Sequence, residues 1–261
     1  MPYCCVCNQT VDQWIPHPLQ AQRSPLMVML DTVGSDPSIY GCPSCHCNDR
    51  DRHLWLYLKA SGVLARLEGA HILHMAPEWR LEPLIAACKP GQYVLGDLLP
   101  TQDRYQRIDL EHLPFDDDSL DLVICNHVLE HVQHIERALS EIHRCLQPGG
   151  MLVAQTPYAP VLKHTLELQQ VPDAATAKLL FGQEDHVRLF GNDIEQYFHA
   201  SGLQGQPLPH QTLLPDVDQA TFGCNVREPF FVFWKPHAQV TASSDAAAIS
   251  QSEEVDDALA V

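Results

Sequence analysis

From Ala70 to about Pro236, short apolar runs alternate with segments of helix length. That alternation commits the chain to a mostly parallel sheet covered by helices, an α/β fold. Strands are expected at His71–Ala76, Tyr93–Asp97, Tyr105–Asp109, Leu120–Asn126, Met151–Thr156 and Pro229–Trp234. The segment Ile135–Leu146 puts Ile135, Ala138, Leu139, Ile142, Cys145 and Leu146 on one helical stripe, and Pro148-Gly149-Gly150 reads as its stop. Residues 160–201 read as mostly helical, interrupted by FGQEDHVRLFG. With 261 residues, 45% of them apolar, one large domain with an appendage can bury a real core.

The appendage is the front of the chain. Six of the ten cysteines (Cys4, Cys5, Cys7, Cys42, Cys45 and Cys47) fall within residues 1–49, beside one short strand-like stretch, Met27–Leu30. Cys4-x2-Cys7 and Cys42-x2-Cys45 form two CxxC knuckles with 34 residues between them. Two such turns can place four thiolates around a zinc ion, which stabilises a segment too small for a core of its own. Cys5 and Cys47 are spare thiols able to replace a neighbour as ligand; buried free thiols or a redox pair are the alternative. An all-thiolate site has no open coordination position, so the expected zinc is structural. Residues 50–69 read as a helix linking this zinc-ribbon-like module to a sheet domain over 70–236, followed by an acidic, unstructured tail over 237–261.

Charge narrows the partners. The net charge is −17, and removing the five acids after Pro236 still leaves −12. Nucleic-acid binding draws on a basic face that releases counterions, so a nucleic-acid partner is disfavoured. No apolar run reaches the length of a membrane span, and MPYCCVCNQT lacks the basic-then-apolar pattern of a secretory leader. A cytoplasmic protein, away from membranes, is the expectation.

Three segments in order resemble the signature of the class I S-adenosylmethionine-dependent methyltransferases. They are Asp109-Leu110-Glu111-His112-Leu113-Pro114-Phe115-Asp116-Asp117-Asp118-Ser119-Leu120-Asp121, Leu122-Val123-Ile124-Cys125-Asn126-His127-Val128-Leu129-Glu130-His131-Val132, and Leu146-Gln147-Pro148-Gly149-Gly150-Met151-Leu152. The resemblance implies a Rossmann-like sheet of seven mostly parallel strands with a last antiparallel hairpin, and S-adenosyl-L-methionine as cofactor. It further implies Asp97 on the ribose, Asp109 at the adenine amine with Leu110 in the same loop, and the backbone near Asn126 facing the methionine part. Turn or cap chemistry is the plain alternative for both aspartates.

The departure is at the first strand. Where the family carries an acid and a Gly-x-Gly-x-Gly turn, this chain has His74-Met75-Ala76-Pro77-Glu78-Trp79-Arg80, and no glycine remains to supply positive φ. Either the loop is remodelled, with Ala76 and Glu78 on the cofactor, or cofactor binding is lost and the domain is a scaffold. The intact remaining segments favour the first. Trp79 reads as stacking on adenine or as a buried aromatic.

For catalysis, His127 leaves the fourth strand beside the expected methyl position and is one candidate base. In Phe181–Gly191, His186 is another, and Arg188 can clamp an anionic group on the substrate; the alternative is an Asp185–Arg188 pair and a capping His186. His127, His131 and His134 have helical spacing for a metal, but the Leu-Glu-His pattern belongs to the resembled family without one. The leading expectation is a methyltransferase with a structural zinc, acting on a small molecule, sugar derivative or peptide. An RNA methyltransferase and an inactive adaptor are the competing readings.

Overall fold

The computed structural model describes residues 1–22 and 24–237. The expected acidic tail therefore lies, beyond His237, outside the described residues. One sheet contains seven strands: β1 His71–Met75, β2 Gln92–Asp97, β3 Gln106–Arg107, β4 Leu120–Ile124, β5 Leu146–Val153, β6 Gln204–Leu208 and β7 Phe230–Trp234. Their spatial order is β6-β7-β5-β4-β1-β2-β3. Strands β1 to β5 run parallel, while β7 is antiparallel to both β5 and β6. This is the Rossmann-like arrangement expected, closing hairpin included. The chain runs outward from β1 to β3 and then returns to β4, so the strand order reverses between β1 and β4.

Helices α1 Asp49–Ala60, α2 Glu82–Ala86, α3 Ile135–Cys145, α4 Ala174–Phe181 and α5 Ile194–Ala200 supply most of the cover. Alternate strand residues divide the core into two layers. Leu73, Val123, Cys125, Leu152, Phe231 and Phe233 face Ala138, Leu139 and Ile142 of α3 and Phe198 of α5. Ile72, Leu122, Ile124, Val153 and Phe230 face Leu54, Tyr57 and Leu58 of α1. Burial of both faces is why these strands read as continuous apolar runs and not as alternating ones. The α3 stripe is buried as expected.

The cysteine-rich front shares the second layer, with Cys4, Trp14 and Cys42 packed in the same cluster as Ile72 and Phe230. Arg52 of α1 is the tie. Fully buried, it donates to the carbonyls of Cys47 at 3.1 Å, Phe222 at 3.2 Å and Gly223 at 2.7 Å, and its guanidinium lies 4.0 Å from the Trp14 ring centre. Trp14 in turn donates from Nε1 to the Ala220 carbonyl at 3.1 Å. The front is thereby fixed to residues 220–223.

Four local expectations are corrected. Met27–Leu30 is not a strand: Pro25–Met29 is helical, with Pro25 in the first turn and Met27 buried in a cluster with Ala177 and Phe181. A run of four apolar residues cannot by itself separate strand from helix, and the proline settles it. The linking helix opens on an Asn48/Asp51 capping box and stops at Ala60, because Gly62 turns left-handed at φ 77° before a 3-10 turn at Val63–Arg66. Strand β5 starts at Leu146, immediately after α3, so Pro148-Gly149-Gly150 is an irregularity inside the strand. At Gly150 a Cβ would stand 2.8 Å from the Gln147 carbonyl oxygen, which no side chain tolerates. Residues 160–201 contain a short hairpin, Leu166–Glu167 with Arg188–Leu189, enclosing α4.

Candidate active site

In an open parallel sheet a ligand sits beyond the carboxyl ends of the strands where their order reverses. Here those ends are the loops after β1 and β4. The turn after β1 is made without glycine: Ala76 itself adopts φ 44°, its N–H donating to the Gly96 carbonyl at 2.8 Å. A left-handed L-residue costs about 1–2 kcal/mol, tolerable when one site needs that turn. Ala76→Gly is therefore expected to raise stability by about 0.5–1 kcal/mol after the greater entropy of an unfolded glycine is allowed for, a shift of roughly 1–4 °C in thermal melting. A lowered midpoint would show that the methyl group of Ala76 is needed.

Beyond this turn, Glu78 is held from two sides. His74 Nε2 lies 2.6 Å from Oε2, and the Asn126 amide donates to Oε1 at 3.1 Å. The Tyr93 hydroxyl contacts His74 Nδ1 at 2.8 Å, fixing the imidazole from behind. Burial of the Glu78 carboxylate opposes ionisation, but the charge and hydrogen bond of His74 outweigh it and hold its pKa below the ordinary value. The histidine standing at the family's acid position thus carries an acid on its far side. Asn126 also accepts the Gln155 N–H at 2.9 Å, which locks the β4 tip to that of β5. Asp51 near the start of α1 is buried close to Glu78, and burial first, then the Glu78 charge, pushes its pKa up to about 7.

Asp97 ends β2 and accepts the Leu99 N–H at 2.8 Å; Asp109, exposed after β3, accepts the Glu111 N–H at 2.9 Å. Both make the turn contacts named as their plain alternative, at the two strand tips next to β1. Leu110 is buried in the core below. Trp79 is half-exposed, with Arg80 stacked 3.5 Å from its ring centre, so it is no buried aromatic.

His127 follows Asn126 in a left-handed conformation, φ 53°, its N–H bonded to the Gln155 carbonyl at 2.6 Å. Its ring lies between two buried acids. Nδ1 is 3.5 Å from Glu130 Oε1, and Nε2 is 3.9 Å from Glu228 Oε1. His127 Nε2 and Glu228 Oε1 have no hydrogen-bond partner among the described residues. On its other side Glu228 approaches His53 Nδ1 at 3.4 Å, and His53 Nε2 meets His210 Nδ1 at 2.8 Å. Burial would raise the Glu130 pKa, but His127, with His186 and His131 behind it, brings it down to about 2. Glu228 is likewise held low by His53 and His127 against its burial. His127 Nε2 therefore faces the Glu228 carboxylate without a hydrogen bond, while Glu130 stands on the Nδ1 side of the ring.

His186 and Arg188 lie behind Glu130. His186 is buried, donates from Nδ1 to the Phe181 carbonyl at 2.9 Å, and burial depresses its pKa. Arg188 is also buried. Its guanidinium donates to the Leu129 and Gln133 carbonyls at 2.8 and 3.1 Å, to the Val132 carbonyl and to Glu167. The clamp expected of Arg188 is thus directed at the chain's own carbonyls and positions the turn that carries Glu130. Nor do His127, His131 and His134 share a helix: residues 126–131 are a turn, and α3 begins at Ile135.

Glu228, His53 and Asp51 are not among the site residues that the sequence pointed to. Glu130 had a signal, standing in the same motif as His127. Glu228 and His53 had none, since 175 positions separate two residues that the fold brings into contact.

At the front of the chain one sulfur from each of Cys4, Cys7, Cys42 and Cys45 lies within 4.8 Å of the others, with Cys4 to Cys45 at 3.8 Å and Cys7 to Cys42 at 4.0 Å. Zinc–sulfur bonds of about 2.3 Å in a tetrahedron put sulfurs roughly 3.8 Å apart, so these residues fit such an ion. Cys47 is 3.4 Å from Cys4, and its sulfur also accepts from Arg52 at 3.6 Å.

The sequence profile of the family described as "Methyltransferase domain" matches residues 88–154, which span β2 to β5. Residues 88–154 are thus similar to methyltransferase domains. The mitochondrial 2-methoxy-6-polyprenyl-1,4-benzoquinol methylase of Rattus norvegicus is 39% identical to this chain over 71 residues, 27% of the chain and 18% of that protein. The ubiquinone/menaquinone biosynthesis C-methyltransferase UbiE of Methylococcus capsulatus is 33% identical over 106 residues, 40% of each chain. Among solved structures, the YcgJ protein of Bacillus subtilis aligns with a TM-score of 0.45 at 21% identity, over 59% of this chain and 70% of that one. The chain thus covers less than half the length of the first two proteins. No helix among the described residues is long and apolar enough to cross a membrane.

Proposed function

We propose that the protein is an S-adenosylmethionine-dependent methyltransferase whose acceptor loses a proton as it is methylated. The observation that carries this reading is the pairing of a remodelled loop after β1 with an unpartnered nitrogen at the tip of β4, one residue beyond the Asn126 that holds Glu78. Ala76 turns the chain and Glu78 is fixed against Asn126, while His127 Nε2 stands free beside Glu228.

When bound, S-adenosylmethionine supplies a methyl group on a positively charged sulfur. The ionised Glu78 suits the cofactor's ammonium or a ribose hydroxyl, Asp97 the ribose, and the Asp109-Leu110 turn the adenine. Ala76 and Asn126 border the same space. His127 would take the acceptor's proton at Nε2, with Glu130 orienting the ring through Nδ1 and Glu228 stabilising the imidazolium. His186 and Arg188 act through Glu130 and its turn and do not touch the acceptor. The negative net charge favours a small molecule, sugar derivative or peptide over RNA. The quinol relatives are in keeping with a small organic acceptor.

In this reading residues 1–49 hold a structural zinc through Cys4, Cys7, Cys42 and Cys45, residues 50–69 join them to the sheet, and residues 70–236 carry the chemistry. The test is calorimetric titration with S-adenosylhomocysteine. Saturable binding is expected, weakened about tenfold or more by Asp97→Ala and by Asp109→Ala, because each removes a hydrogen bond of about 1–3 kcal/mol. A folded, zinc-loaded protein that takes up neither this ligand nor S-adenosylmethionine would make the domain a scaffold.

A further inference from the structure

Behind His127 the fold assembles a second set of potential metal ligands. Glu130, His131 and His186 each offer one ligating atom within 4.8 Å of the others. The decisive feature is His186. Its Nδ1 donates to the Phe181 carbonyl, which leaves Nε2 as a bare lone pair, buried and without a partner among the described residues. His131 repeats the pattern nearer the surface: Nδ1 lies 3.2 Å from the Asp185 carbonyl oxygen and 3.2 Å from its carboxylate, so the proton sits there and Nε2 is left basic. The two rings meet edge to face, 4.7 Å between centres. Thr156 donates to Glu130 Oε2 at 3.1 Å and fixes the carboxylate.

We propose that Glu130, His131 and His186 form a binding site for a first-row divalent transition metal. Two imidazoles and one carboxylate suit Fe2+, Co2+ or Zn2+ far better than Mg2+ or Ca2+, which favour all-oxygen sets. Imidazoles whose outer nitrogens are held by oxygen acceptors are the usual companions of a bound ion. The scaffold is pre-ordered: the Val187 N–H donates to the Glu130 carbonyl at 2.9 Å, and Arg188 holds the Leu129 carbonyl at 2.8 Å, so the two ligand segments are tied together. Three protein ligands leave positions open, and His131 is partly exposed, which gives an ion a way in.

The test is to load the full-length protein with zinc to saturation of the cysteines and then titrate it with Co2+. Binding is read by calorimetry and by paramagnetic shifts of the imidazole protons in NMR spectra. One further equivalent is expected, with the His131 and His186 resonances displaced, and affinity falling at least about tenfold in His186→Gln and in His131→Gln. Unmoved imidazole resonances, or a site that survives both substitutions, would overturn the proposal. Should His186→Gln not fold, the partly exposed His131→Gln and the wild-type spectrum decide it. S-adenosylhomocysteine binding is measured separately, so failure here leaves the cofactor reading standing.

Discussion

Replacing Arg52 by methionine is expected to destabilise the protein by about 4 kcal/mol or more, lowering its thermal midpoint by roughly 10 °C. The volume is nearly retained, so the loss is electrostatic. The carbonyls of Phe222 and Gly223 would be left without the guanidinium that now satisfies them, and that of Cys47 would keep only the Cys42 N–H. An unsatisfied buried acceptor costs about 1–3 kcal/mol, and the stacking on Trp14 changes as well. Arg52→Lys should recover less than half of the loss, since an ammonium cannot present a planar fork to several carbonyls at once. Differential scanning calorimetry of the three proteins measures this. A methionine variant melting within a degree or two of wild type would mean that the cysteine-rich front contributes little to overall stability.

The second large effect concerns the cysteines. Cys42→Ser is expected to lose zinc and several kcal/mol of stability, because a structural zinc site contributes about 10–16 kcal/mol of apparent binding energy that is also folding energy. Chelation of the wild type should reproduce the change. Cys47→Ser, in contrast, should keep the metal, since Cys47 makes its sulfur contact with Arg52 from outside the four-sulfur set. Metal analysis beside thermal melting separates the outcomes. A Cys42→Ser protein with full zinc content and an unchanged midpoint would refute the four-cysteine assignment.

The two effects are linked through the fold. Arg52 bridges the Cys47 carbonyl and the loop at Phe222–Gly223, only a few residues before Glu228. Gly223 is closely confined there, at φ 61° with a Cβ that would stand 2.4 Å from the Trp14 ring. The same α1 that supplies Arg52 supplies His53, the partner of Glu228. The cysteine-rich front, the first helix and the segment before β7 therefore act as one support for the acid beside His127.

Much of the scaffold was legible in the sequence because it rests on local rules. Apolar runs bounded by turn residues marked the main parallel strands, and the stripe on Ile135–Cys145 marked a helix whose period does not depend on its neighbours. Paired CxxC knuckles announced a four-sulfur cluster because the spacing is itself the chemistry. The errors came where a local signal is ambiguous. Met27–Leu30 is apolar but begins after a proline, and Pro148-Gly149-Gly150 can end a helix or kink a strand.

The site divides along the same line. Sequence placed Ala76, Glu78, Asp97, Asp109, Asn126 and His127 at strand ends, since a strand's end is a property of the chain. It also listed Arg188 as a substrate clamp, because an arginine in a loop looks free until its neighbours are known. What only the tertiary structure decided is which polar groups meet: Glu78 with His74 and Asn126, His127 with Glu130 and Glu228, and His186 with Glu130 and His131. The left-handed turn at Ala76 belongs there too, since neither its composition nor its spacing requires positive φ. Periodicity records which side of an element is buried, whereas a pairing between distant buried charges is set by packing and leaves no trace in the order of residues.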